Sequence, residues 1–463
     1  MSEKQAGAAG VDRAAEAQAL AARVREVEQA VMARTPEHDI TPTLDRIAAL
    51  VDLLGQPQRA YPLVHLTGTN GKTSTTRMVD ALLRAAGLRT GRFTSPHLHR
   101  LAERICLDGR PLDDARLVAA YDDVAPYLPL VDAGSEVPLS FFEVLVGMAY
   151  AAFADAPVDA AVVEVGMGGR WDATNVADGQ VAVVTPVDMD HQRFLGSTPE
   201  EIAAEKSGII KEGAVAVLAQ QQVGVAEVLM RRCAEVGATV AREGLEFGLR
   251  DRAVAVGGQL LTLQGLGGTY EDVFLPLHGV HQAHNAAVAL AAAEAFLGAS
   301  GASALDADVV RAGFAQVTSP GRLEVVRRSP TVVVDGAHNP HGARATAEAI
   351  GDAFDFTRLI GVFAVFADKD VPGMLEAFEP VLAEIVVTEA ASPRAMPVDE
   401  LAAIAVDVFG ADRVWAVPRL ADAIDEAVAR AEEEGDLGGA GVLVTGSVVT
   451  VAQARALLGR TDV

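Results

Sequence analysis

At 463 residues, with roughly 100–200 residues per domain, the chain should form two or three domains, which excludes a single small module. Hydrophobic residues make up 50% and charged residues 22%, enough to give each domain a core and too apolar for bulk disorder or a collagen-like fibre. Lys plus Arg (38) against Asp plus Glu (63) leaves a formal charge of −25, which argues against duplex nucleic acid as a partner and requires any phosphorylated ligand to be held locally.

Residues 1–35, rich in Ala, Glu, Gln and Arg, read as a frayed tail merging into a helix over 14–33 with no chemistry of its own. The start lacks an apolar h-region, and no later apolar run reaches membrane length without a charge. Cys106 and Cys233 are too few for a disulfide framework and have no metal-type spacing. A cytoplasmic protein without membrane association is the expectation.

From Tyr61 onward, short apolar runs at 63–66, 160–163, 181–184 and 215–218 alternate with helix-period segments. The first such helix starts near Lys72, turns Met78, Val79, Leu82 and Leu83 inward, and stops at Gly87. Strands apolar on both faces and separated by helices predict a mostly parallel sheet covered on both sides, an α/β fold. Gly-rich alternating segments between 244 and 276 predict an antiparallel appendage, followed by a long helix over 282–297. Thr318-Ser319-Pro320-Gly321 marks a boundary, after which strands at 332–334, 359–362, 385–388, 413–417 and 442–445 predict a smaller Rossmann-like domain. The expected division is a tail and helix over 1–36, a phosphate-loop domain over 37–317 and the Rossmann-like domain over 318–463.

The most informative segment is Leu66-Thr67-Gly68-Thr69-Asn70-Gly71-Lys72-Thr73-Ser74, between a strand and a helix. Phosphates need approachable backbone N–H groups, a cation and a metal-bound hydroxyl; Gly68, Gly71, Lys72 and Thr73 offer all three at a helix N-terminus. The first glycine sits two residues later than in the standard eight-residue pattern, which leaves an ordinary glycine-rich turn as the weaker alternative. Glu164 ends an apolar strand on the edge where doubly wound sheets bind ligands, a natural Mg²⁺ ligand if it is not simply exposed. The next strand leads to Asp190-His191, where a lone histidine is more often structural. Lys206 lies near the end of a short helix: it complements the helix dipole or, if buried, offers a neutral amine that could add CO₂ and ligate a metal as a carbamate. Arg322 sits on the hinge, as a surface arginine or a nucleotide contact. Asp335 and His338 follow the second domain's first strand on its carboxyl edge, so two such edges would face one cleft.

Together these segments resemble the Mur ligase superfamily of ATP-dependent amide-forming enzymes, and within it the folylpolyglutamate synthases and bifunctional dihydrofolate synthase/folylpolyglutamate synthases. The matching elements run in order: Gly68-Thr69-Asn70-Gly71-Lys72-Thr73, Thr94-Ser95-Pro96-His97-Leu98, Glu164 with its Gly-rich successor, Asp190-His191 with Leu195-Gly196, Glu205-Lys206-Ser207-Gly208, His284-Asn285-Ala286, Gly321-Arg322 and Asp335-Gly336-Ala337-His338-Asn339-Pro340. The Ser-Pro-His and Asp-Gly-Ala-His-Asn-Pro segments favour the folate branch. Thr73 departs from the glycine found in many folate ligases.

The resemblance implies that ATP phosphorylates a folate carboxylate and that the amine of L-glutamate attacks the acyl phosphate; the acceptor is a reduced folate or dihydropteroate. It implies Lys72, Glu164, His191 and Lys206 as catalytic, one Mg²⁺ at Thr73, Ser95 and Glu164, and a second at His191 and carbamylated Lys206. Nucleotide contacts would come from Gly68, Thr69, Asn70, Gly71, Lys72, Thr73 and Ser74, from Asn285 and Arg322, and from Asp335 and His338 on the ribose and base side. The 94–104 segment resembles a mobile loop shaping the pterin site, and its basic residues, with Lys369 and Arg394, would offset the acidic surface for anionic substrates. Domain closure would control the reaction and exclude water. A monomer is the default. A peptidoglycan- or cyanophycin-type ligase is the rival enzyme; a nucleotide-regulated switch is the rival of another class, disfavoured because a switch has no need of a second metal site.

Overall fold

The computed structural model describes residues 3–36, 41–298, 304–433 and 439–461. Its largest sheet has eight strands in the spatial order Arg110–Pro111, Ile105–Leu107, Thr90–Phe93, Ala160–Glu164, Leu63–Thr67, Val181–Val184, Val215–Leu218 and Thr239–Arg242. The six from Thr90–Phe93 onward are parallel and the first two run antiparallel at one edge. Alternate residues feed different cores. Leu63, Ala161 and Val163 pack with the helix Phe141–Asp155 on one face. Val64, Leu66 and Val162 pack on the other with the helices Lys72–Ala85 and Val280–Phe296. The expected inward residues Met78, Val79, Leu82 and Leu83 are all buried, as a sheet covered on both sides demands.

Several strands escape sequence reading. Thr90–Phe93 carries a glycine and an arginine yet is fully buried. Gly91 leaves room for the Phe153 ring, and Arg92 pairs with the buried Asp80 at 2.9 Å. The N-terminal helix spans Glu3–Met32, beginning before the expected residue 14, and inserts Val24, Val27 and Val31 into the core that also holds Leu50, Val124 and Leu145. The alanine-rich composition concealed that valine stripe.

The antiparallel appendage is present as Gly248–Ala255, Gly258–Gln264 and Thr269–Leu275. The second sheet has six strands in the order Glu324–Arg328, Thr331–Val334, Ala440–Thr445, Arg358–Phe363, Glu384–Glu389 and Val414–Arg419, the first pair antiparallel and the rest parallel. Glu324–Arg328 was not foreseen, because its charged, half-exposed residues are those of a protected edge strand. The strand expected at 413–417 starts at Val414 and runs to Arg419. Among the described residues no helix is long and apolar enough to cross a membrane.

Candidate active site

The loop after Leu63–Thr67 is pinned from beneath. Thr185 Oγ1 donates to the Asn70 carbonyl at 2.7 Å, Thr69 Oγ1 donates to the Asp188 carbonyl at 2.8 Å, and the Thr69 and Asn70 amides both reach the Pro186 carbonyl at 2.9 and 3.4 Å. Glycine is required twice. At Gly68 (φ +148°) an added Cβ would collide with the Thr185 hydroxyl, and at Gly71 (φ +85°) with the Asn285 side chain. The helix Lys72–Ala85 follows, and the Thr75 amide makes the first intrahelical bond, to the Gly71 carbonyl. The amides of Lys72, Thr73 and Ser74 therefore precede the ladder and can take a phosphate. Lys72 Nζ rests on the Gly68 and Thr69 carbonyls at 3.0 and 3.1 Å. Burial lowers its pKa, with Glu164 and Asp190 acting in the opposite sense.

Glu164 is 1% exposed at the carboxyl end of its strand. Its Oε1 accepts from Thr73 Oγ1 at 2.9 Å and Oε2 is buried without a partner. Burial pushes its carboxyl up to about 7, against the pull of Lys72, the Thr73 hydroxyl and the Ser95 backbone. Thr73, Ser95 and Glu164 thus meet. Ser74 faces elsewhere, its hydroxyl lying 3.1 Å from that of Ser319 and accepting from Gln282 Nε2 at 3.3 Å. Asn285 covers Gly71 and donates to Gln282 Oε1 at 3.1 Å.

Asp190 is the point where the two sheets' carboxyl edges touch. Its Oδ1 receives Lys369 Nζ at 2.7 Å, and its Oδ2 receives Asn339 Nδ2 at 3.2 Å and faces His338 Nε2 at 3.5 Å. Burial alone would raise the carboxyl, yet hydrogen bonding from His338 and the charge of Lys369 hold it well below the usual range. Asn70 and Asn339 exchange side-chain hydrogen bonds at 3.2 Å, so the phosphate loop itself contacts the second sheet. His191 adopts a left-handed backbone (φ +49°) and turns its ring toward the cleft; burial and the neighbouring cations lower its pKa, so the imidazole is neutral.

Lys206 is 3% exposed and donates to the Gly68 carbonyl at 2.8 Å, under the phosphate loop. Burial, then the charge of Lys72, pulls its amine down to about 7. Among the described residues no three His, Cys, Asp or Glu side chains form a cation-binding group, so a metal here could not be held by such side chains alone. Asp335 holds the hinge: it accepts from the Leu323 and Ala337 amides at 3.0 and 2.9 Å and from Thr346 Oγ1 at 2.8 Å. His338 Nδ1 is bonded to the Gly336 carbonyl at 2.9 Å, which directs Nε2 at Asp190. Arg322 lies against Gly336 and lines the same cleft.

The cleft between the sheets has a volume of about 1350 Å³. Beside the phosphate loop it is apolar, walled by Phe142, Met167, Trp171 and Phe194, next to the buried Arg46–Glu143 pair at 3.0 Å. Sequence reading quoted Asn339 only within a matching segment, gave no role to it, to His341 beside Asn70 or to those apolar walls, and named Lys369 only as a general cation. The available signal was position: Asp368-Lys369-Asp370 follows the strand Arg358–Phe363 on the carboxyl edge. Arg394, expected near anionic ligands, is paired with Asp368 at 2.8 Å.

Known proteins resemble this chain over most of its length. The Mur ligase middle domain matches residues 142–293 and the Mur ligase glutamate ligase domain matches 321–448. The chain is 52% identical to the dihydrofolate synthase/folylpolyglutamate synthase of Mycobacterium tuberculosis over 460 residues, covering 95% of this chain and 94% of that one. A solved structure of M. tuberculosis folylpolyglutamate synthase complexed with ADP superimposes with a TM-score of 0.92 over 96% of this chain and all of the other. An Escherichia coli FolC structure in complex with DHPP and ADP, 30% identical, gives 0.79 over 95% of this chain and 97% of its own.

Proposed function

The chain belongs to the dihydrofolate synthase/folylpolyglutamate synthase family of Mur ligases, and on that footing we propose that it uses ATP to join L-glutamate to folates. The acceptor is a reduced folate and also dihydropteroate. The observation that carries this reading is the convergence of Lys72, Glu164 and Asp190-His191 on a single cleft closed by residues of the second sheet.

The acceptor carboxylate attacks the γ-phosphorus and ADP leaves. Such transfer depends on positioning and charge neutralisation, for which the amides of Lys72–Ser74, the Lys72 ammonium and Arg322 are suited. The lone buried Oε2 of Glu164, beside the Thr73 hydroxyl, fits a hard divalent cation: an unpartnered buried carboxylate oxygen is costly, and an oxygen-seeking ion relieves it. Mg²⁺ held by Thr73, Ser95 and Glu164 would supply charge stabilisation at the transferring phosphoryl group. His191, neutral, and Lys206, whose depressed amine suits CO₂ addition, are the pair we assign to a second ion. Asn285, Asp335 and His338 complete the nucleotide side. The glutamate amine, once deprotonated, forms the C–N bond and phosphate departs.

Closure matters because an acyl phosphate is destroyed by water. The Asn70–Asn339 and Asp190–Lys369 contacts bridge the two sheets beside the phosphate loop, where closure would keep water out. In this reading residues 37–317 hold the nucleotide, 318–463 close over it and 1–36 buttress the first core. The two free cysteines, both buried, suit a reducing cytoplasm.

The test is product mass after incubating the protein with ATP, Mg²⁺ and L-glutamate plus either tetrahydrofolate or dihydropteroate. A glutamyl addition to each is expected. No addition to either, or turnover only with a UDP-linked acceptor, overturns the proposal.

A further inference from the structure

The 94–104 segment leaves the carboxyl end of the strand Thr90–Phe93 and is fixed from its own domain at two points. The Thr94 amide donates to the Arg104 carbonyl at 3.0 Å, which closes the base of the loop. Glu103, 6% exposed, accepts from the backbone amides of Leu98, His99 and Arg100 at 2.7, 2.8 and 2.7 Å. Within this frame consecutive residues face different partners. Ser95, Pro96 and His97 line the cleft, Ser95 with its backbone against Glu164, whereas Leu98 and His99 reach across to the second domain.

Leu98 packs on the second-domain core that holds Val326, Val332, Val334 and Val451. A Cβ added at Gly321 would fall 2.8 Å from Val451 and 3.8 Å from Leu98, so the hinge is packed into the same joint. Arg455, in the last helix Val448–Leu457 and 2% exposed, spreads its guanidinium between the domains. Its Nε and Nη2 donate to Glu324 at 2.8 and 3.3 Å, and its Nη1 donates to His99 Nε2 at 2.9 Å across 356 positions of sequence. A guanidinium only donates, so the ring nitrogen accepts. Glu324 also accepts from the Gly321 amide at 2.7 Å. The two-pronged Arg455–Glu324 pair gives each charge its partner within the second domain, as burial demands, so the bond to His99 is not needed to neutralise it and serves the loop.

We propose that Arg455 is a positioning residue for the cleft wall Ser95–His97, acting through Leu98 and His99, the two residues that follow it. On the ligase reading above, which this inference deepens, that wall faces the folate. Glu103 holds the loop from within the first domain, but the tip finds its socket only on the second. Docking of the domains therefore fixes Leu98 and His99, and the chain carries that constraint directly to His97, Pro96 and Ser95. A bond made at the last helix is in this way felt at the substrate without touching it.

The test uses the full-length His99→Phe, His99→Gln and Arg455→Met variants. Phe keeps a ring and loses the accepting nitrogen; Gln keeps an accepting atom. Both lie at a loop tip and serve should Arg455→Met, which strands Glu324, fail to fold. Without substrates, hydrogen exchange read by mass spectrometry should be roughly 10- to 100-fold faster over residues 97–100 in His99→Phe and Arg455→Met, the scale of a lost charge-assisted hydrogen bond, and less so in His99→Gln. The KM for tetrahydrofolate should rise about tenfold in the first two variants while the KM for ATP holds. Combining His99→Phe with Arg455→Met should cost no more than Arg455→Met alone, because both remove one bond. Unaltered exchange in His99→Phe overturns the proposal, as does faster exchange with an unchanged tetrahydrofolate KM, or full additivity of the pair. These failures leave turnover by the unsubstituted enzyme intact. Its absence with every folate offered overturns the ligase reading, and the role of Arg455 with it.

Discussion

Around Glu164 and around Asp190 the same cleft treats a buried carboxylate in opposite ways. Glu164 has one hydroxyl partner, an idle oxygen and a carboxyl raised to about 7, whereas Asp190 is saturated by Lys369, Asn339 and His338 and held well below the ordinary range. The difference separates two tasks. On the reading proposed above, the first region would take a cation arriving with the nucleotide; the second has its cation built in, Lys369 of the opposite sheet.

The largest effect should come from the first region. Lys72→Met removes the cation facing the phosphates and should lower ADP release by about 10²–10³-fold, the scale for losing a donor to developing charge; unchanged turnover would break the comparison at its root. Glu164→Gln should reduce Mg²⁺-dependent turnover by roughly 100-fold while ADP affinity, measured by calorimetry, changes less than about tenfold. Equal losses in both would mean that Glu164 serves binding and not the metal.

The second region should answer differently. Lys369→Met leaves Asp190 buried without its main cation, a loss on the order of 3–5 kcal/mol for the closed form. Small-angle scattering should show a larger radius of gyration, and the KM values for glutamate and acceptor should rise together. A closed, fully active variant would show that the Asp190 contact is incidental to closure.

The smallest effect concerns the sheet beneath the loop. His65 is fully buried in Leu63–Thr67, with Nε2 2.8 Å from Thr174 Oγ1, and burial lowers its pKa from 6.5 to about 3. The unfolded chain then binds the proton more readily, so this group's contribution is complete above pH 6.5 and is lost as pH falls toward 3, by at most roughly 5 kcal/mol. His65→Gln should flatten that part of the urea-unfolding profile against pH; an unaltered profile would show that His65 takes no part in the acid limb.

What the sequence disclosed follows the same divide. The phosphate loop and Glu164 were legible because their chemistry is local: glycines at fixed backbone angles, a lysine one residue on, an acid closing an apolar strand. The contacts of Asp190 were not, because Lys369 lies 179 residues away and only the pairing of two sheet edges brings it to 2.7 Å. The strand Glu324–Arg328 shows the limit of apolar patterning, since an edge is protected by the charges that disguise it.

The reciprocal amide pair of Asn70 and Asn339 has a thermodynamic corollary. One partner belongs to the loop before the helix Lys72–Ala85 and the other caps the helix Pro340–Ala353 of the opposing sheet. Any ligand that alters the loop then alters the grip on that helix, and linkage requires the converse by the same factor. A ligand of the loop and a ligand of that helix should therefore change each other's affinity equally, although neither need touch the other.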